Sequence, residues 1–195
     1  MESGQAYDFL TATVHPRPIA LVSSMATNGD LNLSPFSFLM VAGSNPPSLA
    51  FSPSLSPFGE KDTLTNIRQT GEFVVNLVHR EMAEQMNATS KRFPPHISEL
   101  SEAGFTALPS EKVRPPRVQE SMVQLECKLF QVVEHGDGQG AARYVIGEIL
   151  VAHAASELMP DGKFNPTLWR PIARMGGPNY LDTDALEYFQ MVRPT

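Results

Sequence analysis

Apolar and polar residues alternate strictly from Val123 to Leu129, the clearest strand signal in the chain. Val123, Leu125, Cys127 and Leu129 fall on one side and Gln124, Glu126 and Lys128 on the other, which predicts an inward apolar face and a wet outer one. A second β-prone run, Arg143 to Val151, follows the turn Gly136-Asp137-Gly138-Gln139-Gly140, so the two form a long antiparallel hairpin. Ile19 to Met25 is a third run, opened by Pro16-Arg17-Pro18 and closed by the hairpin signal Asn28-Gly29-Asp30. Leu31-Asn32-Leu33 returns as its partner. Ser34-Pro35-Phe36-Ser37-Phe38 is then expected to be an irregular loop, because proline removes a ladder donor. Ser48 to Ser52 and Phe73 to Val78 supply two further strands.

Helical signals are few. Lys61 to Gly71 carries Asp62 or Thr63 at its start, Leu64 and Ile67 three apart, and Gly71 as its C-terminal stop. Glu81 to Gln85, with Met82 and Met86 four apart, predicts a short helix, and Ser98 to Ala103 a single turn closed by Gly104. Arg114-Pro115-Pro116-Arg117 reads as an extended connector. The sum is a mainly β protein with two or three helices, in one domain over residues 1–195, and barrel closure is the usual way such a sheet protects its edges.

Composition narrows the function. A net charge of −6 argues against a nucleic-acid partner. No apolar window reaches the length of a membrane span, and the N-terminus lacks a basic leader, so neither membrane insertion nor secretion is expected. Cys127 is the single cysteine, which excludes an intrachain disulfide and fits a reducing cytoplasm. On that reading the Asn87-Ala88-Thr89 sequon carries no weight.

Several enzyme classes lack their defining residues. The glycines at 136, 138 and 140 join two strands and miss the dinucleotide-loop spacing. His15, His79, His96, His135 and His153 are too far apart for a helical metal pair, and neither a Gly-x-Ser-x-Gly elbow nor a Walker loop occurs. What remains is the chemistry of cradling a ligand. At Lys61-Asp62-Thr63 a loop enters a helix, where N–H groups, a hydroxyl and an ammonium suit a phosphate; a simple Asp62 cap is the plainer alternative. Ser34 to Phe38 offers backbone groups beside aromatic faces, as a planar heterocycle needs, or else a turn with two core phenylalanines. His96, in the proline-containing stretch that begins Phe93-Pro94-Pro95, is either a gate or a solvated loop histidine.

The order Pro16-Arg17-Pro18-Ile19-Ala20-Leu21-Val22-Ser23, Asn32-Leu33-Ser34-Pro35-Phe36-Ser37-Phe38, Pro46-Pro47, Lys61-Asp62-Thr63 and Gly71-Glu72-Phe73-Val74-Val75-Asn76 resembles the flavin reductase-like, FMN-binding split-barrel family, in its flavoredoxin-like branch. Glu126-Cys127 and Gly176-Gly177-Pro178-Asn179-Tyr180 extend the likeness over about residues 7 to 181. The resemblance implies a six-stranded antiparallel Greek-key split barrel, a homodimer, and FMN near the subunit interface. It places Lys61 and Thr63 at the phosphate with Asp62 as the neighbouring cap, and Ser34, Pro35, Phe36 and Ser37 along the ring and ribityl chain. It sets Ser23, Ser24 and Ser52 at strand ends facing the same groove. Asn32 and Arg17 join the cofactor's surroundings, with Arg174 and Tyr180 further out. Leu21 and Leu39-Met40 depart from many relatives, which carry an aromatic and Phe-Asn there. The implied activity is hydride transfer from NAD(P)H to FMN and onward to a flavin or other acceptor. No catalytic side chain is identified. The alternative is an FMN electron carrier without pyridine-nucleotide turnover; a related barrel for haem fits the Lys61-Asp62-Thr63 cradle less well.

Overall fold

The computed structural model describes residues 2–94 and 96–185. Four helices, α1 (Ser3–Thr13), α2 (Asp62–Thr70), α3 (Ala83–Ala88) and α4 (Glu99–Glu102), accompany twelve strands. These are β1 (Arg17–Pro18), β2 (Ala20–Met25), β3 (Leu31–Phe36), β4 (Leu39–Ser44), β5 (Pro47–Phe51), β6 (Glu72–Leu77), β7 (Ala107–Leu108), β8 (Arg117–Val118), β9 (Val123–His135), β10 (Ala142–Ala154), β11 (Ile172–Gly176) and β12 (Asn179–Asp182). The main antiparallel sheet runs β3-β2-β6-β9-β10-β5-β4, and β1-β11-β12 form a second. The main sheet thus holds seven strands against the six that the resemblance implies, β4 adding the extra edge.

Connectivity forces this sheet to curl. β3 and β4 lie at opposite ends of the strand order, yet only Ser37 and Phe38 separate them in the chain. Flat, the two edges would stand roughly 29 Å apart at ~4.8 Å per strand, whereas the link from Phe36 to Leu39 spans at most ~11 Å. The barrel is therefore drawn round by covalent linkage, and no ladder joins β3 to β4. This is the split.

Ser34-Pro35-Phe36 belongs to β3, which corrects the loop expectation: Val22 pairs with Ser34, Leu21 with Pro35 and Ala20 with Phe36. Proline is tolerated because β3 is an edge strand whose outer side needs no ladder donor. On that outer edge the Glu99 carboxylate accepts the Leu33 N–H at 2.9 Å, so a side chain covers the edge. α2 ends where expected, with Gly71 at φ 72° donating its N–H to Ile67 O at 2.9 Å.

Two cores flank β2. Ala20 and Val22 point into the barrel with Phe36, Phe51, Leu64, Ile67, Phe73 and Cys127, while Ile19 and Leu21 face a second cluster with Met82, Met86, Leu100 and Phe105. Leu21 is thus a core residue of the second cluster. At Gly147 the Phe73 ring fills the side-chain position, its Cζ lying 2.4 Å from where a Cβ would stand. Gly147→Val is expected to cost about 1–3 kcal/mol by overpacking, read as a lowered midpoint in urea with an unchanged slope.

The outer face of β9 differs from its expected wetness. Lys128 is exposed, but Gln124 is buried and Glu126 is fully so. The connector at 109–118 folds across them. Glu111 and Lys112 donate their N–H groups to Glu126 at 2.8 and 2.6 Å, and Gln124 Nε2 donates to Val118 O at 3.1 Å. Alternation located the face correctly; the covering segment lies in another part of the chain.

Candidate functional site

The split and the start of α2 meet. The Phe36 ring packs inward against Phe51 at 5.3 Å, and the Lys61 ammonium lies 5.0 Å from the centre of that ring. Lys61 is the N-cap of α2 and makes no side-chain cap bond, so Asp62, the first helical residue, is not the cap expected of it. Lysine is a poor cap: its positive charge adds to the positive end of the helix dipole, where Ser, Thr, Asp or Asn normally stand. No carboxylate or hydrogen-bond acceptor meets its ammonium among the described residues. Lys61 is an exposed residue, and partial desolvation of its ammonium lowers its pKa from the ordinary lysine value. An anion at this point would partner the ammonium and offset its charge at the helix start.

Thr63 is completely buried, and its hydroxyl donates to Asn32 Oδ1 at 2.5 Å. Its backbone N–H is left as the group it presents at the helix start. Asn32 in turn donates to Glu99 Oε1 at 2.9 Å. Asp62 lines a cavity of about 160 Å³ on the other flank of α2 with Asp30, His96 and Glu99. The carboxylates there repel anions, so the phosphate-compatible side is that of Lys61 and Phe36. Burial raises the Glu99 pKa, with the Asp62 charge adding to it, against its bonds from Leu33 and Asn32. His96 is exposed and bonded to Asp30 on this acidic flank.

Phe38, in the β3–β4 link, accepts the Ser52 N–H at 2.9 Å, which brings Ser37 and Ser52 to one rim. The Ser52 hydroxyl accepts the Arg143 N–H at 3.3 Å. Ser34 and Ser37 are half-buried toward that rim, whereas Pro35, paired with Leu21, is half-buried on the other face of β3. Arg17 approaches from the other side, its guanidinium 5.9 Å from the Phe38 ring and tied to the carbonyls of Thr11 at 2.6 Å and Val14 at 2.7 Å. The two remaining serines lie apart from this rim. Ser24 is fully buried and accepts from Asn66 at 3.2 Å, while Ser23 shares the opposite face of β2 with Leu21 and donates to Pro116 O at 2.5 Å.

Two groups at or behind the site escape the sequence reading, and a third, Glu126, belongs to a matched block but is expected on a wet face. Tyr7 of α1 lies 6.4 Å from the Phe38 ring, Glu99 closes the chain from Thr63 through Asn32, and Glu126 holds the connector. The matched tail Gly176 to Tyr180 does carry a signal: it forms the β11–β12 turn beside Arg17. Cys127 is buried in the barrel core, and burial raises its thiol pKa. Cys127→Ser is expected to leave flavin affinity and turnover within about twofold at the cost of some stability, because its Sγ lies among apolar side chains.

The chain belongs to the flavin reductase like domain family, whose model matches residues 12–172. It is 38% identical over 192 residues to an uncharacterised protein of Halalkalibacterium halodurans, covering 97% of this chain and 91% of that one. Among solved structures it is similar to nitrilotriacetate monooxygenase component B from Bacillus cereus, with a TM-score of 0.90, 30% identity, and 98% and 95% of the two chains covered. It is also similar to the 2-nitrobenzoate 2-nitroreductase of Pseudomonas fluorescens, with a TM-score of 0.87, 34% identity, and 100% and 93% covered. Flavoredoxin of Desulfovibrio vulgaris shares the fold at a TM-score of 0.75 and 23% identity, with 91% of each chain covered. The class is that of flavin-handling oxidoreductases. Among the described residues no helix is long and apolar enough to cross a membrane.

Proposed function

We propose that this protein binds FMN at the split and is an NAD(P)H-dependent oxidoreductase of the flavin reductase type, working in the cytoplasm. The observation that carries the reading is the Lys61 ammonium, without a hydrogen-bond or carboxylate partner among the described residues and set beside the Phe36 ring at the start of α2. Lys61 neutralises the phosphate, and the N–H groups of Asp62 and Thr63 point at it with the helix dipole. The Ser34 to Ser37 backbone lies along the ring system, with Ser52 on the facing rim. Bound FMN supplies two-electron redox chemistry from the nicotinamide donor to an acceptor flavin or another small molecule or protein. The charged side chains at this rim, Lys61 and Arg17, are both cations, and no acid or base is needed beside them. The chain therefore contributes position, charge and exclusion of water.

Anaerobic titration tests it. The FMN-loaded protein is expected to bleach on NADH or NADPH within seconds; bound flavin that stays oxidised with both would make the protein a carrier served by a protein donor. A protein that binds no FMN would overturn the reading.

Dimerisation belongs to the same proposal. β4 is an edge strand whose Met40 and Val41 are 61% and 82% exposed, and α1 leaves Tyr7, Phe9 and Leu10 more than half exposed. Apolar surface on an open edge invites a second copy. Sedimentation is expected to give twice the chain mass of 21.4 kDa, and Val41→Arg to shift it toward the monomer.

A further inference from the structure

The small sheet sets three side chains in one cross-strand row, with Arg17 opposite Arg174 and Arg174 opposite Tyr180. Like charges directly opposite in an antiparallel pair repel. Neither guanidinium meets a carboxylate among the described residues: Arg17 holds only two carbonyls, and Arg174 lies 4.6 Å from the Tyr180 ring centre. Arg17 is 92% buried, and its Nε has no acceptor among the described residues. Burial, and to a lesser degree the Arg174 charge, lower the Arg17 pKa, with Tyr7 acting the other way. A buried cation facing a second cation is costly unless an anion joins them.

The position of the row says which anion. One end touches the proposed cofactor rim, through Arg17 and Phe38. At the other end Tyr180 borders a cavity of about 470 Å³, also lined by Arg80, Glu84, Asn87 and Asp182. An anion at Arg174 would belong to a molecule with one part at the rim and room for another in the cavity. The planar guanidinium fork suits a phosphate or carboxylate.

We propose that Arg17, Arg174 and Tyr180 form an oxyanion subsite for the substrate that meets the flavin, the anion being the pyrophosphate of a pyridine dinucleotide or the carboxylate of an aromatic acid. This rests on the flavin reading for its place beside the rim. Arg17 is anchored by the Thr11 and Val14 carbonyls and presents a fixed charge; Arg174 is half-buried and can move against Tyr180 to close on the anion.

The test is calorimetric titration of NAD+, inorganic pyrophosphate and benzoate into the FMN-saturated protein, into Arg174→Gln and into Arg174→Lys. Loss of a charged hydrogen bond is expected to weaken the bound anion about tenfold or more in Arg174→Gln, with part restored in Arg174→Lys and FMN affinity unchanged. Binding of NAD+ and pyrophosphate identifies the dinucleotide; binding of benzoate alone identifies the aromatic acid. Equal affinity of the wild type and Arg174→Gln for each anion, or no binding of any of the three, overturns the subsite. If FMN fails to bind, the flavin reading falls, and the same tenfold loss measured without flavin decides the row by itself. Without added anion Arg174→Gln is expected to melt no lower than the wild type, because a repulsion is removed; a fall of several degrees would contradict the uncompensated pair.

Discussion

Glu126→Ala is expected to lower stability by about 3–5 kcal/mol, as removal of one partner from a buried charge cluster does. Glu126 has no exposed surface and accepts from His153 Nε2 at 2.8 Å as well as from the Glu111 and Lys112 N–H groups, with Arg117 Nε 3.8 Å away. Deleting the carboxylate takes the acceptor away from these part-buried donors, two of which are the connector's own N–H groups. At about 2–4 °C per kcal/mol for a chain of this size, the thermal midpoint should fall by roughly 6–20 °C. A change below about 1 kcal/mol would mean that water replaces the carboxylate and that the connector does not depend on it.

The same carboxylate gives a pH signature. Burial pushes the Glu126 pKa up, but the two backbone N–H bonds and His153 outweigh this and hold it below the ordinary glutamate value. Its contribution is present above the unfolded pKa and is lost as pH falls through the lowered native one. Glu99 runs the other way, since its raised pKa makes the folded state gain as pH falls from the native value to the unfolded one. Glu126→Gln should flatten the acid limb of a stability profile, and Glu99→Gln should steepen it; an unchanged limb in Glu126→Gln would remove the carboxylate from the account.

Local pattern carried much of the fold. The β9–β10 hairpin, α2 with its Gly71 stop, and the order of the matched blocks are all legible because each depends on residues close in sequence. The misses share a different cause. Pro35 enters a strand because that strand is an edge, and Glu126 is dry because residues 109–118 cross it. α1 has a single buried residue, Thr11, so its exposed Tyr7, Phe9 and Leu10 give no inward stripe to find. At the site, Lys61 was visible as a residue type, but its isolation from carboxylates is a tertiary fact, as is the turning of the Thr63 hydroxyl toward Asn32. The Arg17–Arg174 pairing depends on a contact between chain segments more than 150 residues apart.

That division between Lys61 and Thr63 sets up the second large effect. Lys61→Ala should weaken FMN by about 1.5–3 kcal/mol, the worth of a charged hydrogen bond, or roughly 10- to 100-fold in Kd. Its ammonium makes no bond within the described chain, so the thermal midpoint without flavin should hold or rise slightly as charge leaves the helix start. Thr63→Ala should do the reverse. It strands the buried Asn32 Oδ1 at a cost of about 1–3 kcal/mol in stability, while its N–H remains for the phosphate and FMN affinity changes little. Flavin fluorescence quenching and thermal melts on both variants separate the two effects. Unchanged FMN affinity in Lys61→Ala would remove the phosphate from this helix start, whereas a large affinity loss confined to Thr63→Ala would mean that the hydroxyl leaves Asn32 for the ligand.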